Sequence, residues 1–419
     1  MRPAILYGVD TRSMREIDDL NKRFGPDEMA KTTGHYLSTQ SIGPKMLWLK
    51  RNEPEVWRRA HYLCSGSTFL VYRLTGEYIF DYPTAAWFDP LFDLGRLVWN
   101  EEYVNALIGD KRLPRLQWVG QVAGQVTHQA SLETGLAQGT PVTTGTLDAV
   151  AEAISVGVHE PGDLMLMYGS TTFFIYVMHE APPVDGVLWH APYVSPGLYA
   201  LEAGTATTGA ATRWFRDRFA KTELAAQAAG GIEAYTVLNE EASAVPPGSC
   251  GLVILPYFSG ERTPINDPDA RGAILGLNLI HERAHLYRAM LEATAYAIRH
   301  NIDTMNASGL APRRTIAVGG GARSELLLQI VSDVTGVQQE LPVQIIGASY
   351  GDAFIAGLAT GLVPMSALQS QWVRIRRRFD PDPRQHELYE GFYQVYRDLY
   401  PQTSSSMHAL ARLSSRMAL

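Results

Sequence analysis

Several features that would place the chain in a familiar class of protein are rare or missing. Cysteine occurs only twice, at Cys64 and Cys250, far apart and in apolar surroundings. We therefore expect two free, buried thiols in a reducing compartment rather than a disulfide. No uncharged apolar stretch is long enough to span a bilayer, and residues 1–7 lack the apolar core of a signal peptide. These absences predict a cytoplasmic protein that does not enter the membrane.

An excess of positive charge is also missing. The formal net charge is -7, from 36 Lys and Arg against 43 Asp and Glu, so the chain has no general attraction for nucleic acid. One dense basic run, residues 374–378, is followed by Phe379, Asp380 and Pro381. Such a run is more typical of a solvated strand edge or loop than of a phosphate-binding patch.

What is present is enough apolar sequence for two or three folded domains. Of the 419 residues, 46% are hydrophobic and 19% are charged, a composition typical of proteins with true cores. The sequence pattern changes near residues 158–162, so we predict a first domain over 1–158 and a second over 159–400. The serine-rich tail, 401–419, is expected to be loose. An apolar run at residues 5–10 indicates a buried strand that begins almost at the first residue.

Local patterns define several further elements. Pro54 interrupts one helical pattern, and Gly76 ends another. Aromatic residues at helical spacing between 389 and 400 indicate core packing rather than a ligand site. We predict helices over 13–23, 282–305 and 323–335, and strands over 164–168, 173–178, 252–256 and 315–318.

Two turns rich in small residues are candidates for ligand binding. Residues 319–321 are three consecutive glycines between a predicted strand and a predicted helix. Glycines let the backbone approach a ligand, and free N–H groups at a helix start can face anionic atoms. A tight turn does not need three glycines, so a nucleotide role is favoured, although the run is neither a P-loop nor a G-x-G-x-x-G fingerprint. The hairpin tip at 169–172 offers amides and hydroxyls to phosphate oxygens, but hairpin tips are often small and polar.

A single acid, Asp148, follows a strand pattern and Gly145 at the head of an alanine-rich helix. As a helix N-cap it would be structural. As a lone carboxylate in a cleft it could take a proton from a hydroxyl. The residue pattern alone leaves both interpretations open.

One segment matches the zinc motif H-E-x-x-H. On a helix the motif puts two imidazoles, here His281 and His285, on one face for zinc, with Glu282 as the base. A third ligand is needed, and Glu292 and Asp303 lack the usual spacing. A zinc hydrolase is therefore a remote alternative.

Several segments together resemble the FGGY family of carbohydrate kinases, as far as about residue 400. The most specific stretch is residues 272–277, followed after seven residues by 285–292, which fills every constrained position of the family's C-terminal signature. The family's other signature is similar to residues 45–52, although Ile42 stands where the family has Ser, Thr or Pro. Two further similar segments are residues 74–77 and 255–264.

The resemblance implies a fold and a set of site residues. It implies an α/β protein with two ribonuclease-H-like domains of the actin and hexokinase ATPase type, and with ATP, Mg²⁺ and sugar in the cleft between them. Asp148 matches the family's base on the sugar hydroxyl, and Gln40 falls where relatives contact the sugar. The residues that match the family's ATP contacts are Gly169, Ser170, Thr171, Gly209, Arg213, Gly319, Gly320, Gly321 and Ser324.

The resemblance also implies a reaction. Residues 255–264 are most similar to the xylulose kinase branch, so we expect ATP-dependent phosphorylation of a sugar hydroxyl, with a pentulose such as xylulose as the first candidate. Ala149 follows the acid where xylulose kinases usually have Asn, so hexonates, polyols and deoxy-sugars stay open. A small-molecule sugar is the expected partner, and a homodimer is the default assembly.

The start of the chain departs from the family. Members open with a phosphate-gripping Gly-x-Asp-x-Gly-Thr hairpin and a sugar-binding segment, and neither occurs here. Met1 falls where the family is already well into its first domain. We therefore expect an N-terminally incomplete first domain, from a misassigned start or a fragment. The alternative to an active kinase is an inactive chain that only binds nucleotide or sugar.

Overall fold

A computed structural model describes residue 10 and residues 12–180 and 188–417. The strand predicted over residues 5–10 lies outside them, except for its last position. The chain divides into two compact units. Unit 1 contains the described residues up to Pro161, those within Val177–Glu202, and Ile346–Val373. Unit 2 contains Gly162–Tyr176, Ala203–Ile345 and the described residues from Arg374 onward.

Both units contain helices and strands. In chain order, the helices are α1 (Met14–Phe24), α2 (Pro26–Thr33), α3 (Ile42–Asn52), α4 (Pro54–Arg59), α5 (Gly66–Thr75), α6 (Tyr82–Ala86), α7 (Glu101–Leu107), α8 (His128–Thr134), α9 (Asp148–Ser155), α10 (Gly209–Phe219), α11 (Lys221–Ala228), α12 (Ala234–Ser243), α13 (Arg283–Ala307), α14 (Glu325–Thr335), α15 (Ala348–Ala359) and α16 (Pro383–Met417). The strands are β1 (Ile79–Asp81), β2 (Phe92–Asp93), β3 (Val98–Trp99), β4 (Arg115–Gln117), β5 (Val122–Gln125), β6 (Pro141–Thr143), β7 (Asp163–Tyr168), β8 (Thr172–Met178), β9 (Trp189–Pro192), β10 (Tyr199–Gly204), β11 (Val253–Leu255), β12 (Ala273–Leu275), β13 (Arg314–Val318), β14 (Gln339–Pro342) and β15 (Ile375–Phe379).

The division between the units is not the single point that the sequence predicts. The first stretch of unit 1 ends at Pro161, but α15 also belongs to unit 1. Helices α15 and α9 pack so closely that a Cβ on Gly351 would lie 1.8 Å from the carbonyl oxygen of Ala151. This contact joins segments that are distant in the chain, so a change in the local sequence pattern cannot reveal it.

Helix ends in unit 1 follow their local signals. Helix α1 covers the predicted segment with a shift of one residue. Pro54 is the first residue of α4 and is separated from the end of α3 by Glu53 alone, and Gly76 ends α5 in the left-handed region, with φ 81°. These predictions are confirmed. A core that includes Leu20, Phe80 and Phe88, each at most 6% exposed, holds the helices together.

The sheet of unit 2 places two turns side by side. It includes the neighbouring strands β15-β14-β13-β7-β8 in that order, with β13 parallel to β7 and to β14, and β7 antiparallel to β8. The predicted hairpin and the predicted strand over 315–318 are therefore confirmed. Because Val318 pairs with Met167, the turns that follow β13 and β7 leave the sheet at the same edge.

Long helices cover the core of unit 2. Ala289 and Ala293 of α13, one turn apart, are at most 1% exposed, and their small side chains let a neighbouring element approach closely. Tyr389, Tyr393 and Tyr396 of α16 are at most 4% exposed. The interpretation of the aromatic stripe as core packing is confirmed.

The loose tail predicted over 401–419 is wrong for the residues up to Met417. They continue helix α16, in which Met407 and Ala411, one turn apart, are buried. His408 Nε2 also lies 2.7 Å from Asp267 Oδ2. The serine-rich composition concealed this short apolar face.

The cysteine prediction is half right. Cys64 and Cys250 are free, but both are exposed. Cys64 lies in the connection before α5, and Cys250 has φ 54° in a short turn before β11. Both positions are in surface connections, which an apolar neighbourhood in the sequence does not reveal.

The basic run forms β15 at the edge of the unit 2 sheet, as predicted. Its arginines are exposed, and three of them pair with acids: Arg376 and Arg377 with Glu325, and Arg378 with Glu340. Among the described helices, none combines the length and the apolarity that crossing a bilayer requires.

Candidate functional site

The hairpin tip between β7 and β8 receives the start of helix α10. The backbone N–H of Gly209 donates to the carbonyl of Gly169 over 3.1 Å, and that of Ala210 donates to the carbonyl of Ser170 over 2.9 Å. A Cβ on Gly209 would lie 2.3 Å from the Gly169 carbonyl oxygen. Glycine at 209 is therefore needed for this close backbone approach.

Buried hydroxyls and one buried acid fix the segment before α10. Thr208 Oγ1 lies 2.9 Å from Thr172 Oγ1 and 2.7 Å from Thr205 Oγ1. Glu261 Oε1 accepts from the backbone N–H of Ala206 over 2.6 Å. Burial raises the pKa of Glu261 to about 7, although hydrogen bonds from the backbone N–H groups of Ala206 and Arg262 lower it.

The three glycines after β13 have different roles. Gly319 has φ 91° and ψ 178°, and a Cβ there would lie 2.8 Å from the Tyr168 carbonyl oxygen. A Cβ on Gly321 would meet the Tyr168 Cβ at 2.9 Å, whereas nothing lies within 4 Å of the Cβ position of Gly320. Two of the glycines are thus explained by the turn itself. Gly320 has open space beside it.

Ser324 directly precedes helix α14 and contacts α12. Its Oγ accepts from the Leu327 backbone N–H over 3.3 Å and donates to Asn239 Oδ1 over 3.1 Å. The first contact makes it a helix N-cap. The second fixes Asn239, which lies beside the glycine turn.

A cavity of about 410 Å³ lies where these segments meet, wholly within unit 2. Thr171 and Gly319 are predicted ATP contacts that do not line it. The carbonyl of Thr171 instead accepts from the Gly169 N–H over 2.9 Å. The seven predicted ATP contacts that do line it are Gly169, Ser170, Gly209, Arg213, Gly320, Gly321 and Ser324.

Other walls of the cavity were not predicted. Tyr235 and Asn239 come from α12, and Tyr287 and Leu291 come from α13. Tyr287 and Leu291 lie in the stretch 285–292 that resembles the family's C-terminal signature, whereas no motif in the sequence marks Tyr235 and Asn239. They come together only because α12 and α13 pack beside the glycine turn.

The cavity combines a polar end with aromatic and aliphatic walls. At the hairpin tip, Arg213 Nη2 lies 3.5 Å from Ser170 Oγ. Tyr168 and Leu327 add apolar surface beyond it. A guanidinium and backbone amides suit an anionic group, and apolar walls suit a flat ring. The arrangement therefore fits a ligand with both parts.

Asp148 is the first residue of α9, in unit 1, and it is exposed. The N-cap position belongs to Leu147, so the structural interpretation of Asp148 as an N-cap is wrong. Its Oδ1 accepts from the Ala149 N–H over 2.8 Å. The carboxylate is thus oriented at a helix start and open to solvent.

Gln40 is buried in the turn before α3 of unit 1. It is 6% exposed, and its Oε1 has no hydrogen-bond partner among the described residues. The neighbouring Ser41 Oγ donates to Asp89, whose Oδ2 also lies 3.3 Å from His35 Nε2. A sugar contact by Gln40 stays a prediction.

The H-E-x-x-H segment forms a helix start instead of a metal site. Helix α13 begins only at Arg283, and Glu282 and His285 form a capping box. His281 Nδ1 accepts from the Asn278 N–H, and its Nε2 contacts the Cys250 carbonyl. The two imidazoles therefore already have backbone partners. Within the described part of the chain, no group of three His, Cys, Asp or Glu side chains could hold a metal.

Two sequence models of one family match the chain. "FGGY family of carbohydrate kinases, N-terminal domain" matches residues 1–155, and the corresponding C-terminal domain matches residues 164–360. The chain belongs to the FGGY family of carbohydrate kinases. This FGGY kinase is thus a phosphotransferase with the two-domain α/β fold that the resemblance implies.

Individual relatives agree with this assignment. The FGGY kinase is 31% identical over 405 residues to an autoinducer-2 kinase of Escherichia coli K12, covering 94% of this chain and 75% of that protein. It is 30% identical over 417 residues to a xylulose kinase of Lactococcus lactis, covering 98% and 80%. The solved xylulose kinase of Rhodospirillum rubrum superposes with a TM-score of 0.88 at 31% identity, covering 97% of this chain and 81% of that one.

The N-terminal match bears on one earlier expectation. Because the family's N-terminal domain matches from residue 1, the prediction of an N-terminally incomplete first domain is not supported. The match does not test activity, so the alternative of an inactive chain that only binds nucleotide or sugar stays a prediction.

Proposed function

We propose that this FGGY kinase transfers the γ-phosphoryl group of ATP to a hydroxyl of a pentulose such as xylulose. The observation that carries the proposal is a cavity of unit 2 that is lined by seven residues matching the family's ATP contacts. The xylulose kinases of Lactococcus lactis and Rhodospirillum rubrum, each at least 30% identical to this chain, support the choice of acceptor.

ATP would enter the cavity with its phosphates at the hairpin tip. There Arg213 and the amides of the tip would face the anionic oxygens. The adenosine would lie toward Gly320 and Ser324, against the walls of Tyr235 and Tyr287. Gly320 has no atom within 4 Å of its Cβ position, which leaves room for a ligand against the backbone.

Asp148 would act as the general base. Its exposed carboxylate would accept the proton of the acceptor hydroxyl while that oxygen attacks the γ-phosphorus in line. The new bond joins the sugar oxygen to phosphorus, and the bond from phosphorus to the β-γ bridging oxygen breaks to release ADP. Exclusion of water during transfer would limit hydrolysis of ATP.

Mg²⁺ is expected to accompany ATP. The ion prefers oxygen ligands, keeps several waters and usually binds through phosphates and one or two carboxylates. The described residues contain no group of three His, Cys, Asp or Glu side chains that could hold a metal ion. When bound, the ion would offset the charge of the phosphates.

A second candidate acceptor comes from another relative. The autoinducer-2 kinase of Escherichia coli is 31% identical to this chain, and Ala149 departs from the Asn usual in xylulose kinases. We therefore propose autoinducer-2 as the second candidate acceptor.

We further propose a homodimer that works in the cytoplasm, where ATP is available.

The test of the base is the substitution Asp148→Asn. Loss of the carboxylate should lower kcat by roughly 10² to 10⁴-fold, because a positioned base contributes about that much. The KM for ATP should stay within about twofold, since the nucleotide cavity is built from other residues. The exposed Asp110→Asn serves as the matched control and should keep the wild-type rate. A D148N enzyme with wild-type kcat would overturn the assignment of Asp148.

A further inference from the structure

A buried carboxylate holds the loop that leads into Asp148. Thr146, two residues before Asp148, donates from Oγ1 to Oδ2 of Asp81 over 2.9 Å. Asp81 is 1% exposed, and the same Oδ2 accepts from the Thr84 backbone N–H over 3.0 Å. One side chain thus connects the end of β1 and the start of α6 to this loop. All four residues belong to unit 1.

The rest of the loop is fixed as well. The backbone N–H and the Oγ1 of Thr144 both donate to the carbonyl of Gln121, over 3.1 and 3.2 Å. Gly145 has φ 79°, and a Cβ there would lie 3.2 Å from the Cβ of Ser67. The chain therefore turns sharply at Gly145 and reaches Thr146 with little freedom.

The start of α9 depends on this loop. Leu147 occupies the N-cap position, and no side chain caps the helix there. The first helical residue is Asp148 itself. Because a side-chain cap is absent at this end, the hydrogen bonds of the preceding loop fix where the helix begins and where the Asp148 carboxylate points.

We propose that Asp81 and Thr146 are positioning residues that hold Asp148 in the orientation needed to accept the proton of the acceptor hydroxyl. The inference rests on the proposed role of Asp148. It goes beyond a capping role for Asp81 on α6, because it assigns the Thr146–Asp81 hydrogen bond to catalysis. Misplacing a reacting group by about 1 Å can cost roughly a hundredfold in rate.

The hydroxyl of Thr146 is the atom to remove. Thr146→Val keeps the shape of the side chain and deletes the donor, whereas Thr146→Ser keeps the donor. We expect T146V to lower kcat by roughly tenfold to a hundredfold, with the KM for ATP within about twofold. T146S should stay within about threefold of the wild-type kcat. A merely structural role would be seen in the melting temperature of T146V without this split between kcat and KM.

The decisive measurement combines Thr146→Val with Asp148→Asn. If Thr146 acts through Asp148, T146V should cause no further loss of kcat in the D148N enzyme, because the oriented group is already gone. A further loss of tenfold in that background would contradict the inference, as would a T146V enzyme with wild-type kcat. If D148N itself kept the wild-type rate, the proposed function of Asp148 would fail instead.

A second variant tests the partner. Asp81→Asn keeps an oxygen that can accept from Thr146 and Thr84, so the fold should persist while the charge-assisted bond is weakened. We expect a smaller loss of kcat than in T146V, and no added loss in the D81N/T146V enzyme. Fully multiplicative losses in the double variant would show that the two residues act independently, which would overturn the inference.

Discussion

The ionisation of the buried acid Glu261 depends on the fold. Glu261 lies in the segment 255–264, which resembles the xylulose kinase branch, yet nothing in the sequence shows that it is buried. Its Oε1 accepts from two backbone N–H groups, those of Ala206 and Arg262. Burial nevertheless raises its pKa to about 7. Between about pH 4.5 and pH 7, Glu261 of the native protein therefore keeps a proton that the unfolded chain has lost.

The raised pKa of Glu261 makes stability depend on pH. The unfolded acid ionises near its ordinary pKa, about 4.5, while the folded acid ionises at about 7. Between these values the folded state binds more protons, so the free energy of unfolding falls as pH rises through this window. Glu261→Gln should reduce that dependence. Urea unfolding between about pH 5 and pH 8 measures it.

The exposed Glu387→Gln is the control for this change of charge, and it should keep the wild-type slope. An E261Q protein whose free energy of unfolding falls with pH as steeply as that of the wild type would show that Glu261 is not the source. The amide can accept the same two backbone bonds, so its fold is expected to persist.

Asp148 shows what residue patterns can and cannot supply. Its place after a strand and a glycine singled it out, but left an N-cap role equally open. The structure removes that alternative, because Leu147 is the N-cap. Whether the carboxylate acts as the base depends on how Thr146 and Asp81 orient it, and their contact joins segments distant in the chain.

At the scale of elements, close helix packing in unit 1 depends on glycine. Gly351 of α15 lies against the backbone of α9, where a Cβ would be 1.8 Å from the Ala151 carbonyl oxygen and 3.1 Å from the Ser155 nitrogen. Neither atom is the flexible end of a side chain. The helices must therefore separate if residue 351 gains a methyl group.

Two glycines within helices should respond in opposite ways to alanine. Gly351→Ala should destabilise the protein by about 1–3 kcal/mol, because overpacking forces α9 and α15 apart. Gly391 of α16 has nothing within 4 Å of its Cβ position, so Gly391→Ala should stabilise it by about 0.5–1 kcal/mol. Denaturant unfolding of the two variants checks both signs. Equal effects would show that α9 and α15 do not pack as described.

Elements with strong local signals could be predicted from the sequence. The hairpin of β7 and β8 and the glycine turn after β13 fall where the patterns put them. Their adjacency could not be predicted, because it depends on the register of Val318 with Met167. The wall of Tyr235 and Asn239 could not be predicted either, since α12 has no motif. The tail was wrong because composition was weighed above the one-turn spacing of Met407 and Ala411.

At the scale of the whole molecule, the chain combines two units with different parts of the proposed chemistry. Unit 2 contains the whole cavity assigned to ATP, and unit 1 contains Asp148 and Gln40. The family resemblance by itself implies only that ATP and sugar bind between the two domains. It did not anticipate that 346–373 returns to unit 1, because that segment is defined by its packing on α9.

This FGGY kinase is proposed to phosphorylate a sugar with ATP as the phosphoryl donor. The most direct measurement is ADP release by the purified chain with ATP and Mg²⁺ and a panel of xylulose, other ketoses, aldoses, polyols, sugar acids and autoinducer-2. We predict release that depends on the acceptor, is fastest with a pentulose and yields one phosphorylated sugar for each ADP. ADP release that no acceptor stimulates, from a folded protein that binds ATP, would contradict the account.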